Sequence, residues 1–235
     1  MRAGLILCLS VTVAVSAACS RERASSSEPA PASPPPASAA APRPEDSSRP
    51  KIVVLGDSLT AGLGLAQSDA YPALVEQKVR AAGYDWDVVN AGVSGDTSAA
   101  GLARADWALD QQNVRILVLE LGANDGLRGL PVDEMKKNLG AIIERAQEHH
   151  IAVLLAGMEA TPNFGPDYTV SFRQAYRDLA KQYKVTLLPF LLDKVAGNAS
   201  LNQGDGIHPN VDGARIVADN VWTVLKPMVA AASAS

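Results

Sequence analysis

Three side chains that together could break an acyl bond stand at the two ends of one stretch of this chain. Ser58 lies in IVVLGDSLTAG, residues 52–62, and Asp205 and His208 lie in DGIHPN, residues 205–210. Serine, histidine and aspartate are the three parts of a hydrolytic triad. An ester or thioester resists water because hydroxide is scarce and the tetrahedral intermediate is unstabilised. Catalysis therefore needs a nucleophile, a base to take its proton, and donors for the oxyanion. Ser58 is the candidate nucleophile. A short apolar run stops at Gly56 and the serine follows two residues later, at the carboxyl end of a predicted strand, where open α/β sheets hold their ligands. The competing use of Ser58 is to cap the helix that follows.

His208 is the candidate base. It sits between Ile207 and Pro209, just before a predicted helix, with Gly204 and Gly206 allowing sharp turns. The other two histidines, His149 and His150, end a charged amphipathic helix and read as surface residues favoured by its negative terminus. Asp205, three residues before His208, can reach one imidazole nitrogen across a turn and hold the tautomer whose other nitrogen faces Ser58. Its plainer use is as a turn residue beside an exposed histidine. The chain order Ser, Asp, His also occurs in α/β-hydrolases, but Ser58 lacks the G-x-S-x-G context of that class.

Neutral, fixed donors are available for the oxyanion. The candidates are the N–H of Ser58 at a helix start, the N–H of Gly95, and the side-chain amide of Asn124, whose alternative is an Asx turn before Asp125-Gly126. Leu63, Leu127, Leu130, Met158, Phe164 and Ile207 are candidates for the acyl pocket by position alone. Asp57, Asp96 and Asp125 neighbour these residues. They read as local backbone acceptors that fix their loops, and no metal or other cofactor is expected.

The elements that must bring these residues together alternate along the chain. Strands are predicted at 51–55, 86–90, 115–121, 151–156 and 185–189, and helices at 70–82, 97–109, 132–149, 168–183 and 210–225. The strand runs are short and apolar throughout, as in IVVL and ILVLEL, which indicates a parallel sheet covered on both faces. The helical runs carry i, i+3, i+4 spacing, as in Met135, Leu139, Ile142, Ile143 and Ala146. The expected fold is a three-layer α/β/α sandwich with a five-stranded parallel sheet, of flavodoxin-like type. Its strand-end loops, which carry Asp57-Ser58, Ser94-Gly95-Asp96 and Asn124-Asp125, then share one edge.

At 235 residues and 47% hydrophobic, the chain can build one well-buried domain and not two large ones. The net charge of −4 and the lack of any basic stripe argue against a nucleic-acid partner. The first 50 residues are set apart. Arg2 followed by the apolar stretch Gly4 to Val15 and then Ser16-Ala17-Ala18-Cys19 reads as a signal sequence, residues 1–19, for export across the inner membrane. VSAAC is similar to a lipobox, with Ser16 where leucine is usual. Cys19 would then be the lipidated N-terminus of a periplasmic protein tethered to the membrane, and the mass of the mature N-terminus separates this from cleavage after Ala17 or Ala18. Residues 20–50, rich in Ala, Pro and Ser, read as a disordered tether, and 51–235 as the hydrolase domain. Both cysteines, Cys8 and Cys19, precede that domain, so it has no disulfide and no thiol nucleophile.

The blocks GDSLTAG, NAGVSGDTSAAG, GANDGLRG and DGIHPN, taken in order, resemble the four blocks of the SGNH hydrolases, also called the GDSL family. The initials fall on Ser58, Gly95, Asn124 and His208. The stretches GLAR and LLPFLL extend the similarity to the bacterial thioesterase I, protease I and lysophospholipase L1 group, often labelled arylesterase. The resemblance implies a monomeric, cofactor-free Ser-Asp-His enzyme acting on small acyl esters, acyl thioesters, aryl esters or lysophospholipids. A polysaccharide or peptidoglycan O-acetyl esterase of the same superfamily is the nearest alternative. A non-catalytic binding lipoprotein, gripping an anion at the helix that begins near Ser58, is the distant one.

Overall fold

The apolar runs become strands because both faces of the sheet are covered. In the computed structural model, residues 48–234 are described, and the signal sequence, Cys19 and most of the tether lie outside the described residues. Five strands form the sheet: β1 (Lys51–Gly56), β2 (Asp87–Gly92), β3 (Val114–Glu120), β4 (Ala152–Ala156) and β5 (Thr186–Leu188). Every pairing is parallel and the order is β2-β1-β3-β4-β5. The central strands β1 and β3 are buried almost throughout, whereas the edge strand β2 is only part-buried and β5 has three residues. Short or half-covered edges limit strand addition by another chain.

Eight α-helices surround the sheet among the described residues: α1 (Ser58–Ala61), α2 (Tyr71–Ala81), α3 (Ser98–Ala103), α4 (Ala105–Leu109), α5 (Ala123–Leu127), α6 (Val132–Glu148), α7 (Pro166–Tyr183) and α8 (Val211–Ser233). Helix α2 packs against α8, and α6 packs against α7 and α3. These two groups make the outer layers of a doubly wound three-layer domain. The buried stripe of α6 is Met135, Leu139, Ile142, Ile143 and Ala146, the i, i+3, i+4 set. Asp133 and Glu134 in its first turn and Arg145 in its last complement the helix dipole.

Three departures from the sequence pattern stand out, and two of them have plain local causes. The helix expected over 97–109 breaks at Arg104, whose guanidinium is drawn back to Asp96 and to the carbonyls of Ala91 and Gly56. The segment after β3 is helical where a loop was expected. Helix α8 runs on past residue 225 and through Pro227, because Val217, Val221, Leu225 and Val229 continue one buried face. That burial outweighs the one hydrogen bond a proline removes.

The sheet order reverses between β1 and β3, and a ligand crevice belongs at that switch point. The end of β1 is also where backbones crowd. A Cβ on Gly92, paired with Gly56 across β1 and β2, would stand 2.7 Å from the carbonyl carbon of Thr60 and 2.8 Å from Ala61 Cα. Backbone cannot move aside as a side chain does. Gly92→Ala is expected to cost about 1–3 kcal/mol, read from the urea midpoint. An unchanged midpoint would contradict this packing.

Candidate active site

Ser58 opens α1 directly after the strand-to-helix turn. The cap of that helix is Asp57, whose Oδ1 accepts the N–H of Leu59 at 3.0 Å, so the capping role open to Ser58 is already filled. Gly56 is required here for space more than for its backbone angles: a Cβ would stand 2.7 Å from the Cβ of Thr60. The Ser58 hydroxyl lies 2.8 Å from His208 Nε2.

His208 is delivered by the loop that enters α8. Asn210 caps that helix by accepting the N–H groups of Asp212 and Gly213. Gln203 fastens the loop to the nucleophile side: its backbone N–H donates to the His208 carbonyl at 2.7 Å, and its Nε2 donates to Leu63 O and Pro209 O. Asp205 does two things at once. Its Oδ1 accepts the N–H groups of Ile207 and His208, and its Oδ2 lies 2.6 Å from His208 Nδ1. A carboxylate is acceptor-only, so Nδ1 carries the proton and Nε2 is left to accept from Ser58. The His208 N–H and then its ring hold the Asp205 carboxyl at about 2, below the usual carboxylate range. The chain Asp205–His208–Ser58 can thus take a proton from the serine and stabilise the resulting imidazolium. His149 and His150 lie before β4, at the opposite edge of the sheet.

The other candidate donors come from the loop after β2 and from the start of α5. Gly95 has φ 87°, a left-handed conformation suited to glycine. Neither its N–H nor that of Ser58 has an acceptor among the described residues. The Asn124 amide is not folded into a local turn. Its Nδ2 donates to Asp57 Oδ2 at 3.1 Å and to the Asp96 carbonyl at 2.9 Å. The three neighbouring aspartates each have separate partners: Asp57 as described, Asp96 on Arg104 Nε at 2.6 Å, and Asp125 on the hydroxyl and N–H of Ser98.

Below the nucleophile turn lies a group that pattern reasoning missed. Glu120, the last residue of β3, is fully buried, and its Oε2 accepts the Asp57 N–H at 3.2 Å and the Thr60 hydroxyl at 2.7 Å. Its Oε1 has no partner. Burial, and then the neighbouring Asp57 charge, pushes its carboxyl well above the normal range. Burial likewise raises Asp57 to about 6, against the lowering by the Leu59 N–H, Asn124 and His208. The glutamate in ILVLEL, an acid inside an apolar strand, was the available signal. Arg104 was another: it reads as one residue of a helix and acts as a clamp on the ends of β1 and β2 and on the loop that carries Asp96.

The cleft opens into a cavity of about 760 Å³. Of the residues suggested for the acyl pocket, Leu63, Leu127, Met158 and Ile207 line it, together with Leu59, Phe190 and Leu192. Leu130 and Phe164 do not. Phe164 instead packs on Tyr168, with ring centroids 5.4 Å apart, over Gly129. The Leu130 carbonyl accepts the Tyr168 hydroxyl at 2.8 Å, so both residues fix the wall from behind.

Known proteins resemble this chain in sequence and fold. Residues 54–216 match the GDSL-like lipase/acylhydrolase family. The chain is 40% identical over 185 residues to the esterase TesA of Pseudomonas aeruginosa, covering 79% of this chain and 92% of that one. It is 39% identical over 178 residues to the thioesterase 1/protease 1/lysophospholipase L1 of Escherichia coli, covering 76% and 84%. Among solved structures it resembles the psychrotrophic esterase EstA from a Pseudoalteromonas species inhibited by monoethylphosphonate, with TM-score 0.73 and 33% identity, covering 77% of this chain and 98% of that one. With the family matched across both ends of the cleft, and with relatives aligned over most of their own length, the chain belongs to the GDSL-like lipase/acylhydrolase family, the SGNH hydrolases.

Proposed function

We propose that this protein is a serine esterase that hydrolyses acyl esters, and thioesters or lysophospholipids, through an acyl-enzyme on Ser58. The observation that carries the reading is the continuous chain from Asp205 Oδ2 to His208 Nδ1, 2.6 Å, and from His208 Nε2 to Ser58 Oγ, 2.8 Å, at the mouth of a partly apolar cavity. Ser58 Oγ attacks the acyl carbon while its proton passes to His208 Nε2. The carbonyl oxygen becomes an oxyanion received by the N–H groups of Ser58 and Gly95 and by the Asn124 amide. Collapse breaks the bond to the leaving oxygen or sulfur, which takes the proton from His208. Water then attacks the acyl-enzyme and gives a proton to His208. The second collapse returns that proton to Ser58 and frees the acid.

The lining favours an acyl chain longer than acetyl, because Leu59, Leu63, Leu127, Met158, Phe190 and Leu192 offer apolar surface beside the serine. Each buried methylene contributes about 0.8 kcal/mol, so kcat/KM for p-nitrophenyl esters is expected to rise by roughly tenfold or more between acetyl and hexanoyl. A series that falls from acetyl onward would overturn this reading of the cavity and favour an O-acetyl esterase. No turnover of any ester would refute the esterase reading itself.

A further inference from the structure

Of the three oxyanion donors, Asn124 alone is a side chain, and a side chain must be held in place to be preorganised. Its two recorded partners, the Asp57 carboxylate and the Asp96 carbonyl, present acceptors, so the NH2 group faces them. Both amide hydrogens have acceptors in the resting site, which sets the plane of the amide at two points. The hydrogen on the Asp96 carbonyl is then the one shared with, or released to, the oxyanion while Asp57 keeps the other. The Asp96 point is secured by Arg104, which binds the Asp96 side chain and the carbonyls of Ala91 and Gly56.

The Asp57 point needs its own explanation. Helix capping accounts for Oδ1, which accepts from Leu59, but not for Oδ2. Serine or asparagine would cap as well without placing an acid at a fully buried position. What the carboxylate adds is a second oxygen that reaches the amide 67 residues away while the first holds the helix carrying Ser58. The backbone N–H of Asp57 donates to Glu120 Oε2, which fixes the main chain from which that carboxylate projects.

We propose that Asp57 is a positioning residue of the oxyanion hole, whose carboxylate holds the Asn124 amide toward the reacting carbonyl while anchoring the first turn of the helix that carries Ser58. The proposal rests on the serine-esterase reading and assigns Asp57 no contact with substrate.

A double-mutant cycle on the full chain tests it. Asp57→Asn keeps the helix cap but cannot hold both Leu59 and Asn124 as acceptor. It is expected to lower kcat for a p-nitrophenyl ester by roughly tenfold to a hundredfold, as a misaligned catalytic group does, with KM and the thermal midpoint close to wild type. In an Asn124→Ala background the same change is expected to alter kcat by less than about twofold, because the group it positions is gone. Should Asp57→Asn fail to fold, Asp57→Ser, which caps without reaching Asn124, takes its place in the cycle. A single variant within about twofold of wild type overturns the proposal, and so does a loss that multiplies with that of Asn124→Ala. Wild-type turnover, measured alongside, keeps the two readings apart: an inactive wild type refutes the esterase function, whereas an active one with an additive cycle refutes only the role of Asp57.

Discussion

Ser58→Ala is expected to lower kcat by about 10⁶-fold, His208→Ala by a similar factor, and the double variant by no more than either alone. The equality follows from the geometry. The 2.8 Å contact between Ser58 Oγ and His208 Nε2 makes the two side chains one proton-transfer unit, and half of such a unit does not work at a reduced rate. What remains in each variant is the cavity and the oxyanion donors: Gly95 and Asn124 lie on other segments, and the backbone N–H of residue 58 survives the loss of its side chain. Turnover of a p-nitrophenyl ester measures the loss, and a fluorophosphonate probe reports the nucleophile directly. Labelling that survives Ser58→Ala would remove this serine from the mechanism, and losses that multiply in the double variant would show the residues acting apart.

Asp205→Asn should cost about 10⁴-fold in kcat, less than loss of the nucleophile but more than loss of one oxyanion donor. Asparagine keeps one oxygen, enough for the N–H groups of Ile207 and His208, so the turn survives. The atom then facing His208 Nδ1 carries hydrogens. The ring must answer with an unprotonated Nδ1, which places its proton on Nε2, where it can no longer accept from Ser58. A kcat within tenfold of wild type would show that Asp205 does not set the tautomer. The wild-type pH dependence has a defined sign. The Asp205 carboxyl is held at about 2, below its ordinary value near 4, so its contribution to stability is present above pH 4 and is lost as pH falls through 2. The asparagine variant should lack that slope in acid melting curves.

The fold was legible where pattern and burial agree. The runs IVVL and ILVLEL, apolar at every position, read correctly as strands covered on both faces, and α6 read correctly from its single stripe. Patterning said less where one side chain serves distant backbone. Arg104 breaks a helix to reach two strand ends and one loop, and no local propensity encodes partners 8 to 48 residues away. The last helix, expected to end at residue 225, runs on through Pro227 because its buried face continues. In the site, the spacing of Asp205 and His208 permitted the contact that is seen, because three residues of turn leave few alternatives. The residues behind the site were illegible for the opposite reason. Glu120 meets Asp57 and Thr60 only once β1 and β3 lie side by side, and Leu130 and Phe164, placed by proximity in sequence, turned out to face Tyr168 instead of the cavity.

The stacked acids beneath the nucleophile set the fold and the chemistry at odds over the solvent. Glu120 and Asp57 both have carboxyls raised by burial, Asp57 to about 6, so the folded chain binds protons that the unfolded chain would release. For Asp57 that stabilisation is complete below pH 4 and is lost as pH rises through about 6. The proposed hydrolysis uses Asp57 as a carboxylate, the form that holds both Leu59 and Asn124. The protonation state the chemistry would use is therefore not the one in which this part of the fold is most secure. Evolution under heat or denaturant would find its easiest gains at position 120, directly beneath the loop it can least afford to loosen.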